Sequence, residues 1–144
     1  YTMMGDTVNL AARLESSAKQ YGIYNFVGHG IYENAKDDYI FRFVDFTRVK
    51  GKNVPVKVYE LVDRKATIEK KSLDLIKEFE KGMDLYFQQK WDAALHQFTQ
   101  TETMEDHYTS RNTTPSAIFI HRCELFKENP PEKNWDGVWT MTTK

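Results

Sequence analysis

The hydrophobic pattern of this chain changes near residue 64, and this change constrains the fold more than any other feature. Before it, short alternating runs typical of β-strands are separated by helical stretches. After it, apolar residues recur every three or four positions, as on the buried face of amphipathic helices. We therefore predict an α+β segment over residues 1–64 and a helical segment over residues 65–144.

The first segment is predicted to form a mainly antiparallel sheet with helices packed on it. Its predicted elements are a helix over 7–20, a strand over 23–27, a short helix ending near Lys36, and the strands of a hairpin over 40–49 and 54–62. Gly22 is suited to end the first helix, because glycine readily adopts the left-handed conformation found there. Pro55 has no amide hydrogen, so the second hairpin strand should start near it or lie at an edge.

The second segment predicts three amphipathic helices. The first two are separated by a break at residues 88–90, and the third begins at Pro115 after a polar loop. Five positions match the spacing of one tetratricopeptide-type helical hairpin, namely Gly82, Leu85, Trp91, Ala94 and Phe98. Because a free-standing solenoid needs about three such repeats, we predict one hairpin packed on another surface. An aromatic tail follows.

Charge and composition exclude several function classes. The chain has 20 basic and 21 acidic residues, which give a net charge of −1. A general nucleic-acid or anionic-membrane binder would carry a basic excess, so neither partner is expected. No apolar run approaches the roughly 20 residues that cross a bilayer. The single cysteine, Cys123, is predicted to be a packed thiol, and the four scattered histidines do not predict a metal site.

The residues with the clearest chemical meaning lie at the start of the first predicted helix. The string runs Gly-Asp-Thr-Val-Asn-Leu-Ala-Ala-Arg-Leu-Glu over residues 5–15. Asn9 and Arg13 are four positions apart, so both project from one helical face near the helix N-terminus, where backbone dipoles favour anions. An amide and a guanidinium there could hold a ribose and a phosphoryl group. Such a pair is also common on exposed helices, so the spacing alone does not assign a function.

The whole string closely resembles the signature of class III adenylate and guanylate cyclases. A second block, residues 48–61, resembles the last β-hairpin of the same catalytic domain. The resemblance covers roughly residues 1–62 and implies the C-terminal half of a ferredoxin-like catalytic fold. The helical remainder, residues 65–144, more loosely resembles the all-α extension that follows the domain in some bacterial membrane-anchored cyclases.

The resemblance also implies roles for individual residues. Asn9 would orient the ribose, and Arg13 would stabilise charge developing on the α-phosphate. Lys50 matches the position that contacts the triphosphate, with Lys52 beside it; a solvated basic turn is the alternative for both. Thr2 matches a base-contacting position that is Asp or Thr in adenylate cyclases and Cys in guanylate cyclases, so ATP is favoured over GTP.

The family's two metal-binding aspartates precede the region that this chain matches. We therefore expect a fragment without the ligands for the Mg²⁺ or Mn²⁺ of the complete enzyme, and inactive alone. The resemblance further implies a homodimer through the cyclase domain and a cytoplasmic location, as a free protein or the cytoplasmic part of a membrane-anchored one. Two alternatives remain, namely a helical interaction or dimerisation module and a non-catalytic regulatory homologue.

Overall fold

The computed structural model describes residues 15–48 and 54–140. Within these ranges the fold is α+β, as predicted: a four-stranded sheet carries helices from both parts of the sequence. The elements are helix α1 (described over 15–21), strand β1 (Phe26–Gly28), helix α2 (His29–Ala35), strands β2 (Tyr39–Arg48) and β3 (Val56–Arg64), helices α3 (Lys70–Phe87), α4 (Trp91–Glu102) and α5 (Pro115–Glu128), and strand β4 (Trp139–Thr140).

The sheet has the order β1-β3-β2-β4. Strands β1 and β2 both pair with β3 in antiparallel fashion, which confirms the two predicted hairpin strands. Strand β3 begins directly after Pro55, so the proline marks a strand start and not an edge. The aromatic tail adds the two-residue strand β4, which pairs in parallel with the end of β2 through Thr47 and Arg48. The segment after residue 64 thus also contributes a strand.

The first predicted strand begins three residues later than its apolar pattern indicated. Gly22 has a positive φ of 74° and ends α1, and the amide of Ile23 donates to the carbonyl of Ala18 at 3.0 Å. Ile23 is consequently buried beside α1 instead of extending the sheet. Its apolar character reflects this packing, and pairing with β3 begins only at Phe26.

Two clusters of buried side chains hold the elements together. One joins α1 to the sheet and consists of Ala18, Tyr21, Ile23 and Val44, with Ile118 of α5 packed against it. The other fills the space between α3, α4 and α5 and is mainly aromatic, with Phe79, Met83, Tyr86, Ala94, Phe98, Phe119 and Cys123 at its centre. Burial of Cys123 confirms the predicted packed thiol and raises its pKa to about 12. None of the helices in the described ranges has both the length and the apolar character to cross a membrane.

Gly82 allows α3 and α4 to approach closely. A Cβ atom at this position would lie 2.7 Å from Cε1 of Phe98, whose ring is fully buried and stacked against Phe119. The ring has little room to move, so Gly82→Ala should lower the free energy of unfolding by about 1–3 kcal/mol through overpacking. Chemical denaturation would measure this loss.

Gly30→Ala provides the matched control. Gly30 is also helical, but an added Cβ would meet no atom within 4 Å. This variant should be neutral, or stabilised by up to about 1 kcal/mol through reduced backbone entropy in the unfolded chain. Equal effects of the two substitutions would show that the contact with Phe98 does not limit the residue at position 82.

Candidate functional site

The five residues that the sequence assigned to the site are Thr2, Asn9, Arg13, Lys50 and Lys52. All five lie outside the described ranges 15–48 and 54–140, so their roles stay predictions. The structure does describe the end of α1, the helix predicted to carry Asn9 and Arg13. It also describes the strands that flank the turn containing the two lysines. These flanking elements form the frame of the candidate site.

The C-terminal end of α1 is held by Tyr21. Its ring stacks on Phe26 with a centroid distance of 5.6 Å, and its hydroxyl donates a hydrogen bond of 2.5 Å to Oδ2 of Asp45 in β2. Burial, and secondarily the nearby Asp45 carboxylate, raise the pKa of Tyr21 well above its usual value. The hydroxyl therefore stays protonated and remains a donor throughout the physiological pH range.

Asp45 is paired with a cation from the helical segment. Arg122 of α5 donates to both carboxylate oxygens of Asp45, at 3.0 and 2.8 Å, and both residues are buried. Such two-point pairing fixes the relative orientation of the two groups as well as their distance. We call Tyr21, Asp45 and Arg122 the Asp45 clasp. It joins α1, β2 and α5 in one buried polar contact.

The loop between α4 and α5 packs on the same end of α1. A Cβ atom at Gly22 would lie 2.0 Å from the carbonyl oxygen of Thr113, so this contact requires a glycine. Arg111 donates from Nε to the carbonyl oxygen of Ile23 at 2.8 Å and lies 3.6 Å from a carboxylate oxygen of Glu15. The end of α1 is therefore enclosed by residues that follow position 64 in the sequence.

A second buried ionic group holds the stem of the hairpin. Arg42 of β2 donates to Glu60 of β3 at 3.0 and 2.7 Å and to Glu105 of the α4–α5 loop at 2.8 and 3.1 Å. Glu105 also accepts from the amide and the hydroxyl of Ser116. Arg42, Glu60 and Glu105 form the Arg42 network. It fixes the strands that lead to the predicted substrate-binding turn.

Sequence reasoning did not identify either ionic group. Arg42 and Asp45 stand among apolar residues of a β-pattern, where a charged residue is ordinarily assigned to the solvent face. The sequence does contain one indication of the two ionic groups. Charged residues of opposite sign interrupt the apolar patterns both before and after residue 64. Pairing them, however, requires knowledge of contacts between residues 63 and 77 positions apart.

An open cleft of about 550 Å³ lies beside β2 and β3. Aromatic residues dominate its lining, among them Tyr32, Phe41, Phe43, Tyr59, Phe87 and Trp135. Its carboxylates come from Glu80, Asp84 and Asp136, and its cations are Lys57 and Arg42. Because Arg42 is already paired with two glutamates, the described lining of the cleft offers little positive charge for a triphosphate.

Residues 15–48 and 54–140 contain no group of three histidine, cysteine or acidic side chains arranged to hold a metal ion. Of the four histidines, His29 faces Tyr59 and Glu33, and His107 faces Glu102. The residues that the structure describes therefore do not fit the metal pair that the cyclase resemblance implies.

Three curated relatives are adenylate cyclases. The chain is 34% identical, over 128 residues and 85% of its length, to the terminal-differentiation-specific adenylate cyclase of Dictyostelium discoideum. It is 39% identical over 62 residues to adenylate cyclase 1 of Rhizobium meliloti (strain 1021), and 33% identical over 63 residues to an adenylate cyclase of Anabaena cylindrica. These two alignments cover 43% and 42% of this chain. The Dictyostelium alignment is too long to be confined to residues 1–64, so it extends into the helical segment.

The chain spans only 6%, 9% and 12% of the length of these three proteins, respectively. No protein-family profile matches the chain. No solved structure matches it either. The resemblance to nucleotidyl cyclases predicted from residues 5–15 is nevertheless confirmed, because all three relatives are named as adenylate cyclases. Over most of its length the chain is thus similar in sequence to adenylate cyclases.

Proposed function

We propose that residues 1–64 are the C-terminal half of a class III nucleotidyl cyclase catalytic domain and that residues 65–144 are its helical extension. A longer protein containing this chain would convert ATP to 3′,5′-cyclic AMP and pyrophosphate. The observation that carries the proposal is the relationship to adenylate cyclases, together with the uninterrupted signature over residues 5–15. The protein would act in intracellular signalling.

In this reaction the ribose 3′-hydroxyl attacks the α-phosphate, a new phosphate ester bond forms, and pyrophosphate leaves. Catalysis of phosphoryl transfer depends mainly on positioning and charge stabilisation. Asn9 would orient the ribose, and Arg13 would stabilise the charge that develops on the α-phosphate. Lys50 and Lys52 would contact the triphosphate, and Thr2 would accept a hydrogen bond from the adenine amino group.

In the family that the chain resembles, the two metal-binding aspartates precede the matched region, so the divalent cations would be held by other residues of the longer protein. For this reason the 144-residue chain by itself should not produce cyclic nucleotide. The active unit would be a cytoplasmic homodimer formed through cyclase domains.

The experiment is to express the longer protein and to measure product from ATP and from GTP with Mg²⁺ or Mn²⁺. We expect cyclic AMP as the main product, and we expect none from the 144-residue chain assayed in parallel. Thr2→Val keeps the shape of the side chain but removes its hydroxyl, so it should reduce the preference for ATP over GTP. Activity of the short chain alone would contradict the predicted need for other residues.

Measurements of nucleotide binding and of dimerisation on the same longer protein, beside the product assay, separate the alternatives. A longer protein that binds ATP without turnover would favour the non-catalytic regulatory homologue. A protein that neither binds nor converts nucleotide, but loses its dimer when residues 65–144 are deleted, would favour the helical interaction module. Preference for GTP would retain the cyclase assignment and overturn the role of Thr2.

A further inference from the structure

Residues 15–21 of α1 directly follow the predicted catalytic pair in the sequence. An α-helix rises 1.5 Å per residue, so Arg13 would lie about 12 Å along the predicted helix from Tyr21. A small tilt of the helix about its C-terminal end would displace the Arg13 side chain. Misplacement of a catalytic group by about 1 Å can reduce a rate by about 100-fold. The groups that fix this end therefore bear directly on catalysis.

We propose that the helical extension positions the catalytic helix through the Asp45 clasp, with Tyr21, Asp45 and Arg122 as positioning residues. The inference rests on the proposed cyclase function and deepens it by giving residues 65–144 a role at the catalytic site. None of the three residues would touch the substrate. They act through the orientation of α1.

The Asp45 clasp is suited to fixing the orientation of α1. A buried ion pair adds little net stability, because the cost of removing two charges from water offsets most of their attraction. Its value is directional: both carboxylate oxygens of Asp45 are occupied by Arg122, and Oδ2 also receives the Tyr21 hydroxyl. An apolar contact in the same place would hold α1 near the sheet without fixing its angle.

Two further contacts from the extension act on the same end of α1. The backbone at Thr113 fits against Gly22, where no side chain would be accommodated. The guanidinium of Arg111 reaches the carbonyl oxygen of Ile23 and lies 4.5 Å from the centre of the Tyr24 ring. Contacts from α5, acting through Asp45, and from the α4–α5 loop therefore converge on residues 21–24, at and just after the end of the helix. Convergence at one helix end is the observation that indicates positioning.

Tyr21→Phe tests the proposal with little disturbance of the core. It removes the hydroxyl that reaches Asp45 but leaves the ring on Phe26 and the Asp45–Arg122 pair intact. In the longer protein we expect kcat to fall by about 10-fold to 100-fold, with a much smaller change in KM for ATP. In the 144-residue chain we expect faster amide hydrogen exchange over residues 15–23.

Tyr32→Phe is the matched control. Tyr32 of α2 also stacks on a neighbouring ring, that of Tyr59 at a centroid distance of 4.1 Å, but its ring contacts are His29, Phe41 and Tyr59, none of which belongs to the Asp45 clasp. Removal of its hydroxyl should leave kcat and the exchange of residues 15–23 unchanged. Thermal unfolding of both variants would show that a change in kcat does not come from global destabilisation.

The two readouts separate the possible failures. Unchanged exchange in Tyr21→Phe would overturn the clasp whether or not the longer protein is an enzyme. Faster exchange with unchanged kcat would also overturn the proposal, because the contact would then hold the helix without serving catalysis. A wild-type longer protein without cyclase activity would refute the proposed function itself, and the positioning role would fall with it. Faster exchange together with a selective loss of kcat would support both.

Discussion

Arg42→Met is expected to lower the free energy of unfolding by about 3–5 kcal/mol, the cost of leaving buried charge without its partner. Arg42 is the shared cation of Glu60 and Glu105, and all three residues are buried. Methionine has a similar length and would fill much of the same space, so the loss would come from the two carboxylates that remain. A domain of this size has about 5–15 kcal/mol of stability, and such a loss would leave it marginally folded.

The effect should depend on pH in a defined direction. Burial raises the pKa of Glu60, an effect that Arg42 opposes, so removing Arg42 should raise this pKa further. A carboxyl group with a pKa higher in the folded than in the unfolded state binds more protons when folded, so its folded state gains stability as pH falls. The loss of unfolding free energy in Arg42→Met should therefore become smaller as the pH falls from neutral to about 4.3, the ordinary pKa of a glutamate side chain.

Urea denaturation at several pH values would measure this effect. Arg64→Met is the matched control, because Arg64 ends the neighbouring strand β3 but is exposed, with its guanidinium 5.9 Å from the Tyr39 ring. We expect it to change stability by less than about 0.5 kcal/mol. A comparable loss in both variants, or a deficit in Arg42→Met that does not vary with pH, would show that unpaired carboxylates are not the cause.

The elements of this fold were predictable where local pattern determines them. Alternating apolar residues predicted β2 and β3, and Pro115 following Thr114 marks the start of α5, where the Thr114 hydroxyl accepts from the amide of Ala117 at 3.0 Å. The break before α4 was likewise predicted, and Gln89 adopts a positive φ of 62° there. Each of these features is specified within a few neighbouring residues. The strand β4 was not predicted, because two residues carry no periodicity.

The buried charges could not be predicted by the same reasoning. In β2 the pairing shifts between Phe43 and Asp45, so that Val44 and Asp45 are both buried although adjacent. Such a β-bulge changes which side chains face the helices, and the alternation rule then assigns Asp45 to the wrong side. The carboxylate is tolerated there because Arg122 reaches it from α5. Only the tertiary arrangement contains that information.

For the candidate site, the sequence gives more information than the structure does. Its chemical groups were identified from sequence through a family resemblance, whereas the residues that the structure describes supply the surrounding elements and not the groups. Asn9 and Arg13 have ordinary helical spacing, so no physical rule separates them from surface residues. The family resemblance distinguishes Asn9 and Arg13 from ordinary surface residues. The elements around α1 explain how a helix that carries them would be held by the Asp45 clasp.

Arg13→Ala in the longer protein should reduce kcat for cyclic AMP formation by about 100-fold to 1,000-fold, the typical cost of removing one donor that stabilises charge in a transition state. The α-phosphate gains charge as the 3′-hydroxyl attacks, and Arg13 would supply the guanidinium that stabilises it. Because this charge develops mainly in the transition state, the affinity for ATP should change much less than kcat. Single-turnover kinetics with ATP would separate binding from the chemical step.

Lys19→Ala is the control for a lost positive charge on the same helix. Lys19 is exposed on α1, and its removal should leave kcat within about twofold, since screening at physiological salt weakens its field at the predicted site. Thermal unfolding should show both variants folded. If Arg13→Ala and Lys19→Ala reduced kcat equally, the effect would come from overall charge and Arg13 would have no specific role. If kcat fell only in Arg13→Ala and KM stayed constant, the guanidinium would be assigned to the transition state.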